Sequence, residues 1–266
     1  MTITAKPAKK KRGKKIAVAV ILGGLALVAG ALWGTEVWLR QQITDYVTAK
    51  VHEVLSLESE QPVAVEVAGF SVITQVLTGR LEHVDVAVEN VTIGDLSGDV
   101  VLVAEGIPFD TSKPVDRVQL EFAATEESVQ SIASMLSAST IDDVELVGSE
   151  IRFTSELSFF GFAFDVGVGV EPFASNGQVG FTPKSVELNG SRTDVSELTK
   201  TFGSLADSLF TTRSVCVARY LPAALRLDSV EVRDDAFLVI TISAEKRVFS
   251  EASLSKLGRC PSGGAR

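Results

Sequence analysis

Histidine and cysteine are scarce in this sequence, which has two of each among its 266 residues: His52, His83, Cys216 and Cys260. These widely separated side chains argue against a zinc site, which normally clusters four such ligands. The sequence also lacks GxSxG, HExxH, a Walker phosphate loop and GxGxxG, the motifs of common hydrolase and nucleotide sites. We therefore expect neither enzymatic activity nor a metal or cofactor.

Basic residues are scarce beyond the N-terminus. Seven of the 25 Lys and Arg residues fall within the first 15 positions, whereas the first acidic residue is Glu36. The rest of the chain has 18 basic against 34 acidic residues. Such a balance would repel a polyanion, so it argues against nucleic-acid binding. The N-terminal cluster suits the cytoplasmic flank of a membrane segment, and binding of anionic lipid head groups is the alternative.

Charged side chains are absent from residues 16–33, which read IAVAVILGGLALVAGALW. Eighteen apolar residues are the lower limit for a helix that crosses a hydrocarbon core roughly 30 Å thick. We expect a single-pass anchor with residues 1–15 in the cytoplasm and residues 34–250 as a domain in the periplasm or cell envelope. Trp33 and Trp38 then lie at the membrane interface.

Cleavage of this segment as a signal peptide is the alternative, with Ala29-Gly30-Ala31 as the cleavage site and a secreted product. Either outcome exports the domain to an oxidising compartment. There a disulfide between Cys216 and Cys260 is the leading interpretation, and it would tether the tail at residues 251–266. Two free buried thiols are the alternative.

Hydrophobic periodicity predicts an antiparallel α+β domain. A spacing near 3.6 predicts helices over residues 36–57 and 71–79, after the N-cap Thr125 and after the N-cap Asp194. Alternation predicts strands at 63–67, 84–88, 101–103, 118–122 and 151–157, and a hairpin that turns at residues 233–235. The strands at 84–88 and 118–122 have one apolar and one acidic face, as expected for a sheet that is wet on one side.

The stretch SFFGFAFDVGVGV at residues 158–170 has two very different faces. Its even positions are large and apolar, whereas Gly161, Gly167 and Gly169 dominate the odd ones. Because the apolar parity flips between Leu157 and Phe160, we predict a bulge or hairpin turn near Gly161. The glycine face would let the sheet bend or lie under a neighbour.

Apolar residues are abundant in the exported part, where all 14 phenylalanines lie. One interpretation is a solid core, since apolar residues at these spacings normally fill interiors. The other is an elongated apolar cavity for an acyl chain. The composition leaves both open.

Two stretches have a recognisable pattern. Residues 68–93, AGFSVITQVLTGRLEHVDVAVENVTI, contain a Gly-Phe pair, a short helix, Gly-Arg and a valine strand, at Gly69, Phe70, Thr74, Gln75, Leu77, Gly79, Arg80, Val84, Val86 and Val88. Residues 221–243, LPAALRLDSVEVRDDAFLVITIS, form a closing hairpin element. The sequence thereby resembles the LmeA-like phospholipid-binding family of actinobacteria, which often has glycine where this chain has Ala224 and Ala236.

The resemblance implies a protein of the cell envelope that binds phospholipids or related glycolipids, some members being linked to lipoglycan assembly. It also implies a curved antiparallel sheet around amphipathic helices, with an elongated apolar groove or tunnel, similar to tubular lipid-binding proteins. We expect a lipid-facing wall at Phe160, Phe162, Phe164, Val166, Val168, Val84, Val86, Leu198, Phe202 and Leu205. The competing hypothesis is a membrane-tethered interaction module with a solid core and no lipid ligand.

Overall fold

The computed structural model describes residues 33–55, 57–58, 60–93, 96–136, 141–159, 162–202 and 212–261, together with the helical backbone of residues 12–32. Side chains are also not described at positions 93, 132, 134–136, 157, 159, 162, 202, 213 and 251. Within the described part of the chain, no helix is long and apolar enough to cross a membrane. The predicted segment 16–33 lies outside the residues with described side chains, except for Trp33.

The chain begins with a helix of 44 residues and continues with long strands and a few short helices. In chain order the elements are α1 (Arg12–Leu55), β1 (Val63–Ala68), α2 (Val72–Thr78), β2 (Arg80–Ile93), β3 (Leu96–Pro108), β4 (Val115–Thr125), α3 (Glu126–Leu136), β5 (Asp143–Val147), β6 (Glu150–Phe159), β7 (Phe162–Ser175), β8 (Gln178–Leu188), β9 (Ser191–Asp194), α4 (Val195–Phe202), β10 (Arg213–Cys216), a 3-10 turn (Ala218–Tyr220), β11 (Arg226–Arg233), β12 (Phe237–Arg247) and α5 (Glu251–Leu254).

The strands form two open antiparallel sheets. The first sheet has the order β1-β2-β3-β4-β12-β11, and the second has the order β10-β8-β7-β6-β5, with β9 paired to β8. Strand β11 of the first sheet lies against β7 of the second, and one hydrophobic core includes residues from both sheets. The predicted α+β class and its antiparallel strands are confirmed.

The pairing register collects apolar side chains on one face of the first sheet. Two rows cross all six strands, namely Val63–Val88–Val100–Phe122–Ile240–Val230 and Val65–Val86–Leu102–Leu120–Ile242–Leu227. The next positions on the opposite face include Glu66, Asp85 and Gln119. Side chains that alternate along every strand therefore produce one apolar and one polar face. Helix α1 packs on the apolar face beside β1.

Polar contacts fasten α1 to the corner between β1 and α2. The carboxylate of Glu36 accepts hydrogen bonds from the backbone N–H groups of Val72 (2.5 Å) and Ile73 (3.1 Å) and from the Ser71 hydroxyl (3.0 Å). One turn further along α1, Arg40 donates to Glu36 and to a carbonyl near the end of β1. A carboxylate here satisfies N–H groups that the start of a helix leaves without partners. We call these contacts the Glu36 clamp.

The clamp keeps Glu36 ionised. The hydrogen bond from the Val72 N–H is the largest cause of a pKa lowered below the ordinary value of 4.5. Partial burial of the carboxylate opposes this shift, and the bonds from Ile73 and Ser71 and the charge of Arg40 reinforce it. Glu36 is therefore negative at neutral pH, as its role as an acceptor requires.

A buried glutamine explains part of the pattern at residues 68–93. Gln75 is 1% exposed; its amide donates to the Ala68 carbonyl (3.1 Å) and accepts from the Glu82 N–H (2.8 Å). It thereby joins α2 to β1 and β2. Gly69 has φ of 120°, and a Cβ there would lie 2.3 Å from the Gln75 side-chain nitrogen. Position 69 therefore requires glycine for both its backbone angle and its lack of a side chain.

The ribbon at residues 158–170 turns as predicted. Phe159 of β6 pairs with Phe162 of β7, so the two strands form a hairpin; residues 160 and 161 lie outside the described residues. On the glycine face, a Cβ at Gly169 would lie 2.1 Å from the Glu150 carboxylate and 2.3 Å from the Ser185 hydroxyl. This glycine makes room for polar side chains of the neighbouring strands.

The predicted disulfide is confirmed. Cys216 at the end of β10 is bonded to Cys260, with 5.9 Å between their Cα atoms. The bridge holds the segment after α5 against the second sheet, and Leu257 pairs with Pro222 in an isolated bridge nearby.

The turn between β11 and β12 contains an alanine in the left-handed region. Ala236 has φ of 63°, whereas Ala224 is not among the residues with positive φ. A left-handed backbone brings the Cβ of an L-residue close to the following carbonyl, which glycine avoids. The two alanines at family glycine positions therefore differ in strain.

We expect Glu36→Gln to lower the free energy of unfolding at neutral pH, because a neutral amide replaces the acceptor carboxylate. Since the folded-state pKa of Glu36 lies below its unfolded value, the contribution is complete above about pH 4.5 and is lost as the pH falls through the folded pKa. Urea unfolding of both proteins across this range measures the difference. Glu60→Gln, at an exposed site, is the control; a Glu36→Gln deficit independent of pH would contradict the expectation.

Replacing Cys216 and Cys260 together by serine should lower the free energy of unfolding by about 4 kcal/mol, the chain-entropy value for a separation of 44 residues. Denaturant unfolding under oxidising conditions measures it. Dithiothreitol should destabilise the wild type by a similar amount and leave the serine variant unchanged. A serine variant as stable as the oxidised wild type would show that the bridge does not stabilise the fold.

Ala236→Gly should raise the free energy of unfolding by about 1 kcal/mol, because glycine relieves the left-handed strain. Ala224→Gly is the matched control, and it should be neutral or destabilising because glycine adds freedom to the unfolded chain. Thermal or denaturant midpoints of the two variants provide the comparison. Equal effects of the two substitutions would argue against strain at Ala236.

Candidate functional site

An open apolar groove of about 750 Å³ lies between α1 and the first sheet. Its walls come from the C-terminal part of α1, from β2, β3 and β4, and from the turn between β3 and β4. Twenty of the described residues line it, and Lys50 is the one charged residue among these twenty. Its volume is within the range of roughly 300–1,000 Å³ that is typical of small-molecule sites.

Two neighbouring rows of α1 form the helical wall. Ile43, Val47, Val51 and Leu55 recur every four residues and pack against the core. The adjacent row contains Gln42, Tyr46, Lys50 and Val54, of which Tyr46 and Val54 are largely exposed. Residues four apart share one side of a helix, so the first row anchors α1 and the second borders the opening.

The sheet wall uses the apolar face of β2, β3 and β4. Its members are Leu81, Val84, Val86, Val88, Val100, Leu102, Ala104, Ile107 and Leu120. Their neighbour Val101 is on the opposite face and is 43% exposed. The floor of the groove is therefore continuous hydrocarbon surface, without a charged side chain.

Polar groups are confined to a few positions in the lining. They are Gln42, Tyr46, Lys50 and Thr111. Lys50 donates to Glu53 (2.5 Å), and this hydrogen bond is the main cause of a raised pKa, so Lys50 is positive at neutral pH. A long apolar floor with a few polar groups suits an amphipathic ligand whose tail lies inside and whose head stays in water.

A smaller cleft of about 280 Å³ adjoins one end of the groove, and Pro108 lines both. It contains Arg80, Lys113 and Asp116. Arg80 donates to the Gly106 carbonyl (2.9 Å) and forms an ion pair with Asp116 (2.6 Å). Because the arginine already has a carboxylate partner, this cleft is not a preformed anion site.

The structure places two of the predicted lipid-wall residues in the groove, namely Val84 and Val86. Phe164, Val166 and Val168 are half-buried on β7 of the second sheet and do not line it. Leu198 is half-buried on α4. The side chains of Phe162 and Phe202, and all of Phe160 and Leu205, lie outside the described residues. Lipid contact by these residues of the second sheet and of the region around α4 stays a prediction.

Sequence reasoning missed the α1 wall and the inner face of β3. A signal for the helical wall was present, because Tyr46, Lys50 and Val54 recur every four residues beside the apolar row. No signal could select Leu102 over Val101, since the run Val100–Val103 is apolar at every position. Alternation identifies the inner face of a strand only where the outer face is polar.

The comparisons with known proteins bear on this groove. A family model described as LmeA-like phospholipid-binding matches residues 30–242, from α1 into β12, and so includes both walls of the groove. Neither the curated proteins nor the solved structures yielded a match. Because the matched range covers most of the 266 residues, the chain belongs to the LmeA-like phospholipid-binding family.

Proposed function

We propose that this protein binds phospholipid without converting it, with an acyl chain in the groove between α1 and the first sheet. The observation that carries the proposal is the apolar groove of about 750 Å³ in a member of a phospholipid-binding family. None of the described residues that line the groove is Ser, Cys, His, Asp or Glu. Binding alone therefore accounts for the site better than hydrolysis or transfer chemistry does.

The groove has the length of an acyl chain. It follows α1 from Gln42 to Leu55, and these 13 residue steps span about 20 Å at 1.5 Å each. An acyl chain of one leaflet reaches through about half of a hydrocarbon core roughly 30 Å thick. One chain thus fits along the groove while its head group remains at an end or at the open side.

Transfer between a bilayer and this groove costs little hydrophobic free energy. Each methylene exposed to water costs about 0.8 kcal/mol, which makes an unprotected lipid monomer unfavourable in water. Within the groove the chain contacts valine and leucine side chains, which are about as apolar as lipid tails. The groove therefore suits a carrier that takes up lipid and releases it again.

The proposed setting is the outer side of the cytoplasmic membrane, in the cell envelope, where the protein would support lipid or lipoglycan assembly. The uncharged residues 16–33 with their lysine-rich flank support a single membrane anchor. The disulfide suits an oxidising compartment. In this setting the groove between α1 and the first sheet would hold the acyl chain in the manner of tubular lipid-binding proteins. Because the groove contacts the acyl chain, glycolipids with the same tails would also fit.

Leu102→Glu should lower lipid binding at least about tenfold, because a carboxylate on the apolar floor has to be desolvated by the acyl chain. The full-length protein is reconstituted into vesicles that contain a phosphatidylcholine with a photoactivatable acyl chain, and labelling is quantified by peptide mass spectrometry. In the wild type, the labelled peptides should come from α1, β2 and β3.

Val101→Glu is the matched control, since it places the same charge one residue away on the outer face of β3. It should label like the wild type, and circular dichroism should show that both variants fold. Wild-type protein without acyl-chain labels in the groove would overturn the proposal. Recovery of a stoichiometric protein partner together with that result would favour the interaction module.

A further inference from the structure

We propose that α2 and the exposed apolar side chains beside it form a surface that docks on a phospholipid bilayer and opens the groove to it. This inference rests on the proposed function. It begins from residues 68–79, which contain no charged side chain. Phe70 in this segment is fully exposed, and Leu77 is 82% exposed. We call Phe70, Val76 and Leu77 the α2 surface.

The Glu36 clamp determines where the α2 surface lies along α1. The first turn of α2 is bonded to Glu36, three residues after Trp33 and two before Trp38. At 1.5 Å per residue, both tryptophans lie within about 5 Å of the clamp along the helix axis. Both are largely exposed, as is Val37 between them. The exposed apolar side chains of α1 and those of the α2 surface therefore lie at the same position along the axis of α1.

This part of α1 directly follows the apolar N-terminal segment of the chain. The 18 uncharged residues 16–33 end three positions before Glu36. A segment of this composition partitions into a bilayer, and tryptophan favours the interface at its end. The clamp then brings the α2 surface to the same interface, where apolar side chains lie roughly 5–10 Å into the boundary between head groups and acyl chains. A bilayer is thus the occupant that the position and chemistry of the surface favour.

The α2 surface is continuous with one end of the groove. The backbone N–H of Phe109 donates to the Gly79 carbonyl at the end of α2 (2.9 Å). Phe109 also lines the groove and is 49% exposed. It therefore links the docking surface to the groove end beside Ile107 and Pro108. An acyl chain that enters past the side chains of Leu77 and Phe109 would pass from the bilayer into the groove without crossing water.

Tryptophan fluorescence provides a direct test, because Trp33 and Trp38 are the two tryptophans of the chain. In a Trp33→Phe/Trp38→Phe background, Leu77→Trp places a single probe on α2. Val215→Trp, at an exposed site on β10 of the second sheet, is the matched probe. Each full-length protein is reconstituted into phosphatidylcholine vesicles with a minor share of phosphatidylglycerol, with or without bromine on the acyl chains.

Bromine should quench the probe at position 77 at least about threefold more than the probe at position 215, because a docked α2 places its side chains near the acyl chains. Equal quenching at the two positions would overturn the docking surface. A probe at position 77 that is shielded from both bromine and aqueous iodide would also overturn it, since a protein would then cover α2.

A second experiment separates this inference from the proposed function. Phe70→Asp/Leu77→Asp is compared with Val215→Asp in the photolabelling of the groove, with the lipid supplied in vesicles or in detergent micelles. The double variant should lose about tenfold of its labelling from vesicles, through weaker docking, and keep its labelling from micelles. Val215→Asp should match the wild type with both sources.

Unchanged labelling of the double variant from vesicles would overturn the docking surface and leave the groove as a lipid site. Labelling lost equally from both sources would also count against docking, because α2 would then act on the groove itself. Absence of groove labelling in the wild type from either source would instead refute the proposed function.

Discussion

The main constraint on this structure is that a single helix cannot cover the apolar face of a six-stranded sheet. Five strand spacings make the first sheet about 24 Å wide, whereas a helix with its side chains is about 10–12 Å across. Helix α1 covers the side of β1, α3 contacts β3, β4 and β12, and the second sheet contacts β11. Between them, the apolar faces of β2, β3 and β4 form the floor of the groove, where Val84, Val86 and Val88 are buried and Leu102 is half-buried.

Polar contacts determine where α1 lies on the first sheet, and thereby where the groove forms. Glu36 and Arg40 hold α1 against the start of α2 and the end of β1, so the helix lies along one edge of the sheet. Buried Gln75 fastens α2 to β1 and β2, and Gly69 leaves the space it needs. The main structural role of the family motif at residues 68–93 is therefore to position α1 and α2. The position of the groove follows from that placement. Its described lining, by contrast, is mostly aliphatic.

Elements with a clear period were predictable. The short helix at residues 71–79, the strand of alternating valines at 84–88 and the hairpin around residues 233–235 all form as expected. Each has a local cause. The short helix, for example, has an N-cap at Ser71 and ends at Gly79, whose backbone adopts the left-handed conformation. The parity flip before Phe160 likewise required a turn, and β6 and β7 do form a hairpin there. Among the predicted lipid-wall residues whose side chains the structure describes, Val84 and Val86 line the groove.

The sequence by itself determined the class of elements and the membership of a phospholipid-binding family, whereas the structure shows that Cys216 and Cys260 are paired. Only the tertiary structure decided which apolar side chains line the groove. Phe164 and Leu102 both have large apolar side chains, yet Leu102 lines the groove because β3 faces α1 across it, whereas Phe164 lies in the second sheet. Periodicity reports the local face of a strand, whereas a cavity depends on which elements meet and how much surface each can cover.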